Sequence, residues 1–509
     1  MIGTSAPQDA SRGAIPWTSP AAVALVVAVL FAAKLAVGAA TDLVGDEAYY
    51  TLWSFYPLQA GYYDHPPGVV WFIRAGQLLL GDTALASRLA AILATLVCAL
   101  AVWRTAIALF ADRTVAALAT LWFSLSLGAA VGLLLVTPDA PSLMFWTLAI
   151  WAAAELHRSR NANWWLVFGL FAGLGLQAKY TGFFLGAGIV LWLVGWRETR
   201  AWFRSWQLYA GGVLALALFW PVVVWNIDND FASLGFQLGR STEAAPSLSR
   251  MARFFPEYVG TLAGLLWPGL FLFAAAGFIL FLRRRAWRGD PGLGLLVATA
   301  VPALAYFAVH SLHSRVQGNW TLPLFAQLAL IGAWAAVAWL PAGRIARAVW
   351  LWLRRWEAPL SLVLVVVIYM QAAFAPVRLP AHLPIDDMAG WRQVADEVAV
   401  IAQDTGARAV YADDYAFLGQ LASSARFTGH RGLAMLPAQD LYHFTFMDLP
   451  APADTGWPVL YAVRGSVGVQ PAPARRLFGK EGVLVSSVIR RGPGGRPAER
   501  ISLYLVSGN

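Results

Sequence analysis

From Trp17 to Pro376 the chain is a succession of apolar runs, most of them long enough to cross a bilayer, separated by short turns. Inside a hydrocarbon layer every backbone N–H and C=O must find its partner within the protein, and runs of this length satisfy that as helices. The feature therefore fixes the fold class as a polytopic α-helical membrane protein. Runs at 17–40, 84–110, 114–136, 140–157, 163–178, 181–196, 207–226, 256–282, 291–310, 320–340 and 357–376 predict about eleven transmembrane helices. Residues 66–80 are too short to span and read as an interfacial helix of the first outer loop. The first run ends in small residues, as a signal peptide would, but exceeds a signal core of about 7–15 residues and reads as an uncleaved anchor. Lys34, in its outer half, is expected to snorkel or to pair with a nearby acid.

The charged residues set the topology. Only 13% of the chain is charged and 59% is hydrophobic, with a mean hydropathy of +0.59, against about 25% charged in ordinary globular proteins. A net charge of +9 would suit a nucleic-acid partner. Here, however, Arg104, Arg113, Arg158, Arg160, Arg197, Arg200, Arg204, Arg283 to Arg285, Arg288, Arg344, Arg347, Arg354 and Arg355 fall in alternate connections, the pattern of cytoplasmic loops. No nucleic-acid partner is implied. An odd span count then puts the N-terminus in the cytoplasm and the C-terminus outside. The single cysteine, Cys98, excludes an internal disulfide and fits a bacterial inner membrane.

Composition shifts beyond Pro376, so residues 1–376 read as the transmembrane domain and 377–509 as a small extracytoplasmic α/β domain. An amphipathic helix is predicted at GWRQVADEVAVIAQ, and strands at RAVYAD, PVLYAV, VLVSSVIR and RISLYLV. The 227–255 loop reads as the most mobile element.

By the same topology one outer face collects the chemistry. Residues 41–68, TDLVGDEAYYTLWSFYPLQAGYYDHPPG, carry Asp42, Asp46, Glu47, Asp64 and His65 without a Lys or Arg. If GDEAYYTLW is helical, Asp46, Tyr49, Tyr50 and Trp53 share one face, a carboxylate among aromatic rings suited to a sugar and a hydroxyl. The same residues suit an interfacial aromatic belt. Asp64 and His65 precede a proline pair at the start of a fresh helix. Other outer turns offer Asp139 in VTPDAP, Lys179 and Tyr180 in AKYTG, and His310, His313 and Arg315 in HSLHSR. Singly, Asp139 suits a helix dipole, Lys179 a snorkelling lysine, and the two histidines an incomplete metal site. Together they place costly charges at membrane depth, which points to function.

GDEAYY, YYDHPPG, TPDAP, AKYTG and HSRVQGNWTLPL, in this order, resemble the bacterial protein mannosyltransferase and aminoarabinose transferase superfamily. These are membrane glycosyltransferases of the GT-C type that take sugars from polyprenyl-phosphate donors. The resemblance covers roughly residues 17–340. It implies that Asp46 is the catalytic aspartate with Glu47 beside it, and that Asp139 is a second acidic position. It implies substrate-binding roles for Asp64 and His65, where aminoarabinose transferases have Glu-Lys, and for Lys179 and Arg315 near the lipid phosphate. Tyr49, Tyr50, Tyr180 and His313 join these as candidate substrate-binding residues. The implied reaction is an inverting transfer from a polyprenyl-phosphate sugar to a hydroxyl of a glycolipid, glycan or protein acceptor, with membrane lipids as surroundings. Asp46 would be general base, and Arg315, Lys179 and His65 would stabilise the leaving phosphate. No cofactor is certain from the sequence, and a divalent metal stays open. The alternative is a lipid-linked sugar flippase or secondary transporter, whose ionisable residues would lie nearer the midplane.

Overall fold

The computed structural model describes residues 17–239, 247–377, 384–450 and 452–508. The polar segment 1–16 and residues 240–246 of the 227–255 loop lie outside them.

The helical part opens with α1 (Pro20–Ala40), whose start is set by Ser19 accepting from Ala22 N at 3.2 Å and by a proline in the first turn. There follow α2 (Gly45–Trp53), α3 (Gly68–Leu80), α4 (Ala84–Phe110), α5 (Arg113–Leu125), α6 (Leu127–Gly132), α7 (Asp139–Ser159), α8 (Trp164–Leu176) and α9 (Gly182–Gly195). Next come α10 (Trp206–Asp228), α11 (Ala232–Gly239), α12 (Leu248–Leu266), α13 (Pro268–Arg283), α14 (Pro291–His310), α15 (Phe325–Ala338) and α16 (Arg344–Phe374). Among the described residues six helices are long and apolar enough to cross a membrane, or seven if the bent pair α12 and α13 is one span. The chain is a multi-pass membrane protein.

Two predicted runs are interrupted, each for a local reason. The 114–136 run breaks at Ser126, whose hydroxyl accepts from Ala129 N at 3.3 Å and starts α6 as a new helix. The 256–282 run turns through 110° at Trp267, because Pro268 disfavours a helical conformation in the residue before it. Glu357 of α16 then bonds Leu270 N at 3.0 Å, satisfying one of the donors exposed by the new helix start. Elsewhere helices meet through small residues: a Cβ on Gly169 of α8 would lie 2.2 Å from Gly211 O of α10.

Lys34 departs from expectation. It is fully buried and donates to Thr95 Oγ1 at 2.9 Å and Ala129 O at 3.1 Å, so it neither snorkels nor bonds an acid. Its position on α1 turns it toward α4 and α6 rather than toward headgroups.

Beyond α16 the chain forms a six-stranded sheet in the order β2-β1-β3-β6-β5-β4. The strands are β1 (Ala409–Ala412), β2 (Ala434–Pro437), β3 (Val459–Gly465), β4 (Ala474–Leu477), β5 (Lys480–Arg491) and β6 (Pro497–Val506). β1 pairs parallel with β2 and β3, and the remaining pairs are antiparallel. α17 (Trp391–Asp404) is the predicted amphipathic helix, and α18 (Tyr415–Phe427) makes the crossover from β1 to β2. Sequence reasoning missed α18, β2 and β4.

This C-terminal unit is tied to the first loop. Asp42 accepts from Trp391 N at 2.8 Å and from Arg392 Nε at 2.6 Å, while Arg426 of α18 pairs with Asp82 at 2.9 Å. The opposite end of the helices carries arginines: Glu155, in the last turns of α7, pairs with Arg104 at 3.1 Å and Arg158 at 2.7 Å. Asp139, the first residue of the 21-residue α7, lies about 24 Å from Glu155 along the helix.

Candidate active site

Where α2, the start of α7 and the C-terminal unit converge there is a cavity of about 410 Å³. Asp46, Tyr49, Tyr50, Asp64, His65, Asp139 and Lys179 all line it, drawn from four separate stretches of sequence.

α2 supplies the first group. Its N-terminus is closed by Glu47, whose Oε2 accepts from Val44 N at 3.1 Å. That turn leaves Asp46 open to the cavity, where Tyr415 donates to its Oδ1 at 3.0 Å. Surrounding protein pushes the Asp46 carboxyl above the ordinary aspartate range; the Tyr415 hydrogen bond opposes this, and the charges of Asp139, Glu47 and Asp387 add to it. Three residues on, Tyr49 donates to Asp64 Oδ1 at 3.3 Å and accepts from His443 N at 3.1 Å. Burial and the Asp64 charge hold the Tyr49 phenol well above its usual range, so it remains a hydroxyl. Trp53, expected on the same face, instead stacks on Tyr62 with centroids 4.4 Å apart and forms part of the packing behind the cavity. Beside it the His443 imidazole is pushed down to about 3 by burial, so it stays neutral and its Nδ1 accepts from Tyr63 N at 3.1 Å.

The second group is an anchored ion pair. Asp139 is buried at the start of α7, accepting from Lys179 Nζ at 2.6 Å and from Asn319 Nδ2 at 2.7 Å, with Thr137 Oγ1 at 3.4 Å. Lys179, with three N–H donors, keeps two that bond no described residue. Across the cavity Gln237 of α11 donates to Asp64 O at 2.5 Å, and Tyr50 stands edge-on to His65 with centroids 6.0 Å apart.

Four expected residues are not on the cavity wall. Glu47 is fully buried against Arg88, at 2.8 Å to Nε and 2.5 Å to Nη2, and also accepts from Val136 N at 2.9 Å. Its neighbours occupy the whole carboxylate, which leaves it a holding role. Tyr180 turns toward α10 and α11, bonding Ser233 at 2.7 Å and Asn226 at 3.4 Å. Arg315, 72% exposed, pairs with Glu257 at 2.5 Å. His313 packs on His310, centroids 4.8 Å apart, and only His310 reaches the cavity. Among the described residues no three His, Cys, Asp or Glu side chains come together as a metal-ligand group.

Sequence reasoning missed Tyr415, Tyr442, Asn319, Gln237 and Thr137. Asn319 had a signal, since it lies in the QGNW stretch that carried the resemblance; Tyr415 and Tyr442 had none, because only the docking of the C-terminal unit brings them here.

Comparison with known proteins bears on the family and the fold. Residues 64–225 match the family described as dolichyl-phosphate-mannose-protein mannosyltransferase. The chain is similar to lipid A galacturonosyltransferase RgtD of Rhizobium johnstonii, 25% identical over 438 residues that cover 84% of this chain and 87% of the relative. It is 28% identical over 290 residues to the undecaprenyl phosphate-alpha-4-amino-4-deoxy-L-arabinose arabinosyl transferase of Erwinia tasmaniensis, covering 54% of this chain and 50% of that protein. Its fold matches that of ArnT from Cupriavidus metallidurans, in the apo state with a TM-score of 0.64 at 17% identity, over 95% of this chain and 97% of that one. The same protein bound to undecaprenyl phosphate gives 0.63 at 18% identity, with equal coverage.

Proposed function

Because the chain is a membrane glycosyltransferase of the GT-C fold, of the protein mannosyltransferase and aminoarabinose transferase type, we propose that it moves a sugar from a polyprenyl-phosphate donor to a hydroxyl of lipid A or a related envelope glycolipid. The reaction takes place on the periplasmic side of a bacterial inner membrane, with the N-terminus cytoplasmic and the C-terminal unit in the periplasm. The alternation of arginine-rich connections supports that orientation. The alternative of a flippase is not favoured, since the named relatives are transferases.

The observation that carries the mechanism is the position of Asp46: a carboxylate open to a cavity that is also lined by a lysine, itself held by a second carboxylate. Asp46 takes the proton of the acceptor hydroxyl as that oxygen attacks the anomeric carbon. The bond from the anomeric carbon to the phosphate oxygen breaks, its electron pair leaves with the polyprenyl phosphate, and the configuration inverts. A raised proton affinity makes Asp46 a better base, and such assistance contributes about 10²–10⁴ in rate. Lys179 meets the charge developing on the leaving phosphate with its two remaining donors, and His65 and His310 lie on the same cavity wall. Asp139 and Asn319 fix where that lysine stands.

The test is transfer by the purified protein from a panel of polyprenyl-phosphate hexose, uronic acid and aminopentose donors to lipid A, comparing wild type with Asp46→Asn. Transfer from one donor that falls by at least about a hundredfold in the variant is expected. Equal transfer by the two proteins overturns the assignment of Asp46.

A further inference from the structure

The cavity is closed on one side by a residue 369 positions from the base it touches: Tyr415, first residue of α18, donates to Asp46 Oδ1 at 3.0 Å. No other described residue bonds the Asp46 carboxylate, so its second oxygen is uncommitted. The contact is held by the backbones beneath it. A Cβ on Gly45 would lie 2.7 Å from Ala416 Cβ, and one on Gly419 would lie 2.6 Å from Tyr49 N, so α18 rests directly on α2. Ser423 Oγ adds a hydrogen bond to Ala48 O at 3.1 Å. Asp414 caps α18 through Phe417 N at 2.7 Å, fixing the turn from which Tyr415 projects. Its ring is wedged between Tyr49 and Tyr442, with centroids at 5.0 and 4.7 Å.

We propose that Tyr415 is a positioning residue of the transfer reaction, by which the C-terminal unit completes the active site: its hydroxyl locks the Asp46 carboxylate and reserves the second oxygen for the acceptor's proton. The proposal rests on the glycosyl-transfer reading above. The phenol is suited to the task, since burial and the nearby Asp46 charge keep it protonated, a donor at every working pH. The other groups facing Asp46 act in the opposite sense: Glu47 on its own helix, Asp139 at the start of α7 and Asp387 in the C-terminal unit all raise its proton affinity. Tyr415 is the neighbour that lowers it. Losing its hydroxyl therefore leaves a base that stays protonated to higher pH and is free to rotate.

The experiment compares wild type, Tyr415→Phe and Asp46→Asn as full-length protein in detergent, following kcat/KM for transfer across pH. In Tyr415→Phe the acid limb should move up by about one pH unit, a tenfold change in proton affinity. At a pH below the limb kcat should fall about tenfold, with KM for the donor within twofold of wild type. Incorporating 3-fluorotyrosine at position 415, a more acidic phenol and a stronger donor, should move the limb the other way; this variant keeps the shape of the native side chain should phenylalanine disturb folding. Transfer that depends on Asp46 but shows the same limb in all the position-415 variants overturns the role of Tyr415 alone. Absence of transfer in wild type overturns the glycosyl-transfer reading, and transfer by Asp46→Asn equal to wild type overturns the assignment of Asp46; either result takes the role of Tyr415 with it.

Discussion

Replacing Glu47 by alanine should destabilise the protein more than any other single change around the site. Glu47 and Arg88 are both fully buried and joined by two contacts, of 2.8 and 2.5 Å. The remaining guanidinium hydrogens go to Thr41 Oγ1 at 2.8 Å, Asp42 O at 2.9 Å, and Gly38 O and Thr41 O at 3.3 Å. Deleting the carboxylate leaves a buried cation with carbonyls and a hydroxyl but no counter-charge, a change that costs about 3–5 kcal/mol. It also frees two backbone donors, Val44 N and Val136 N, of which the second lies three residues before Asp139. Against a total stability of about 5–15 kcal/mol this is a large fraction. Glu47→Gln keeps an oxygen for Val136 N and Arg88 Nε but sets its NH2 against Arg88 Nη2 and Val44 N, which are donors too, so it should recover little of that loss. The pair should show a coupling of about 2 kcal/mol or more in a cycle of Glu47→Ala, Arg88→Ala and the double variant. Reversible unfolding in mixed micelles, followed by tryptophan fluorescence, measures all three. A Glu47→Ala protein within about 1 kcal/mol of wild type, in the range of an ordinary surface pair, would refute the reasoning.

The lysine and the helix contact give two further expectations. Lys179→Met leaves the Asp139 carboxylate buried without its cation and removes the group assigned to the phosphate; transfer should fall at least a hundredfold. Asn319→Ala, which deletes one bond to the same carboxylate, should cost about 1–3 kcal/mol in kcat/KM, or roughly tenfold to a hundredfold; equal losses in the two variants would argue against the separate roles. Gly419→Val forces a branched side chain into the Tyr49 backbone and should loosen the C-terminal unit. Limited proteolysis should then cleave beyond Phe374 at a protease level that leaves wild type intact, whereas an unchanged cleavage rate would mean that α18 is not a principal support.

How far this arrangement can be read from sequence depends on which physical constraint each residue answers to. The bundle was legible because apolar length is a local property, and the end of the bundle that carries the chemistry was legible because the clustered arginines of the alternate connections lie at the other end. Span ends were less so: Ser126 and Pro268 interrupt apolar runs without lowering their hydropathy, and only capping and proline sterics reveal the breaks. The candidate residues most costly to bury, Asp46, Asp64, Asp139 and Lys179, did converge on one cavity, as the expense of charge at membrane depth suggested. Glu47 shows the limit of that argument, because the same expense is met when a charge is paired out of reach of any substrate, and nothing in GDEAYY separates the two cases. Arg88 was never singled out, though it is the partner that decides the matter.

α18 is the instructive omission. Asp414 followed by Phe417, Leu418 and Leu421 carries a helix start and an apolar face, but Gly419, Ser423 and Ser424 dilute it to the level of a loop. Those small residues are what let the helix lie on the α2 backbone, so the feature that hides the helix from a pattern search is the one that brings Tyr415 to Asp46. A side chain whose role depends on such a contact, 369 residues along the chain, leaves no local trace. The C-terminal unit is thus better understood as a wall of this cavity than as an appendage, and a truncation at Phe374 would remove Tyr415 and Tyr442 from it while leaving every motif of the family resemblance in place.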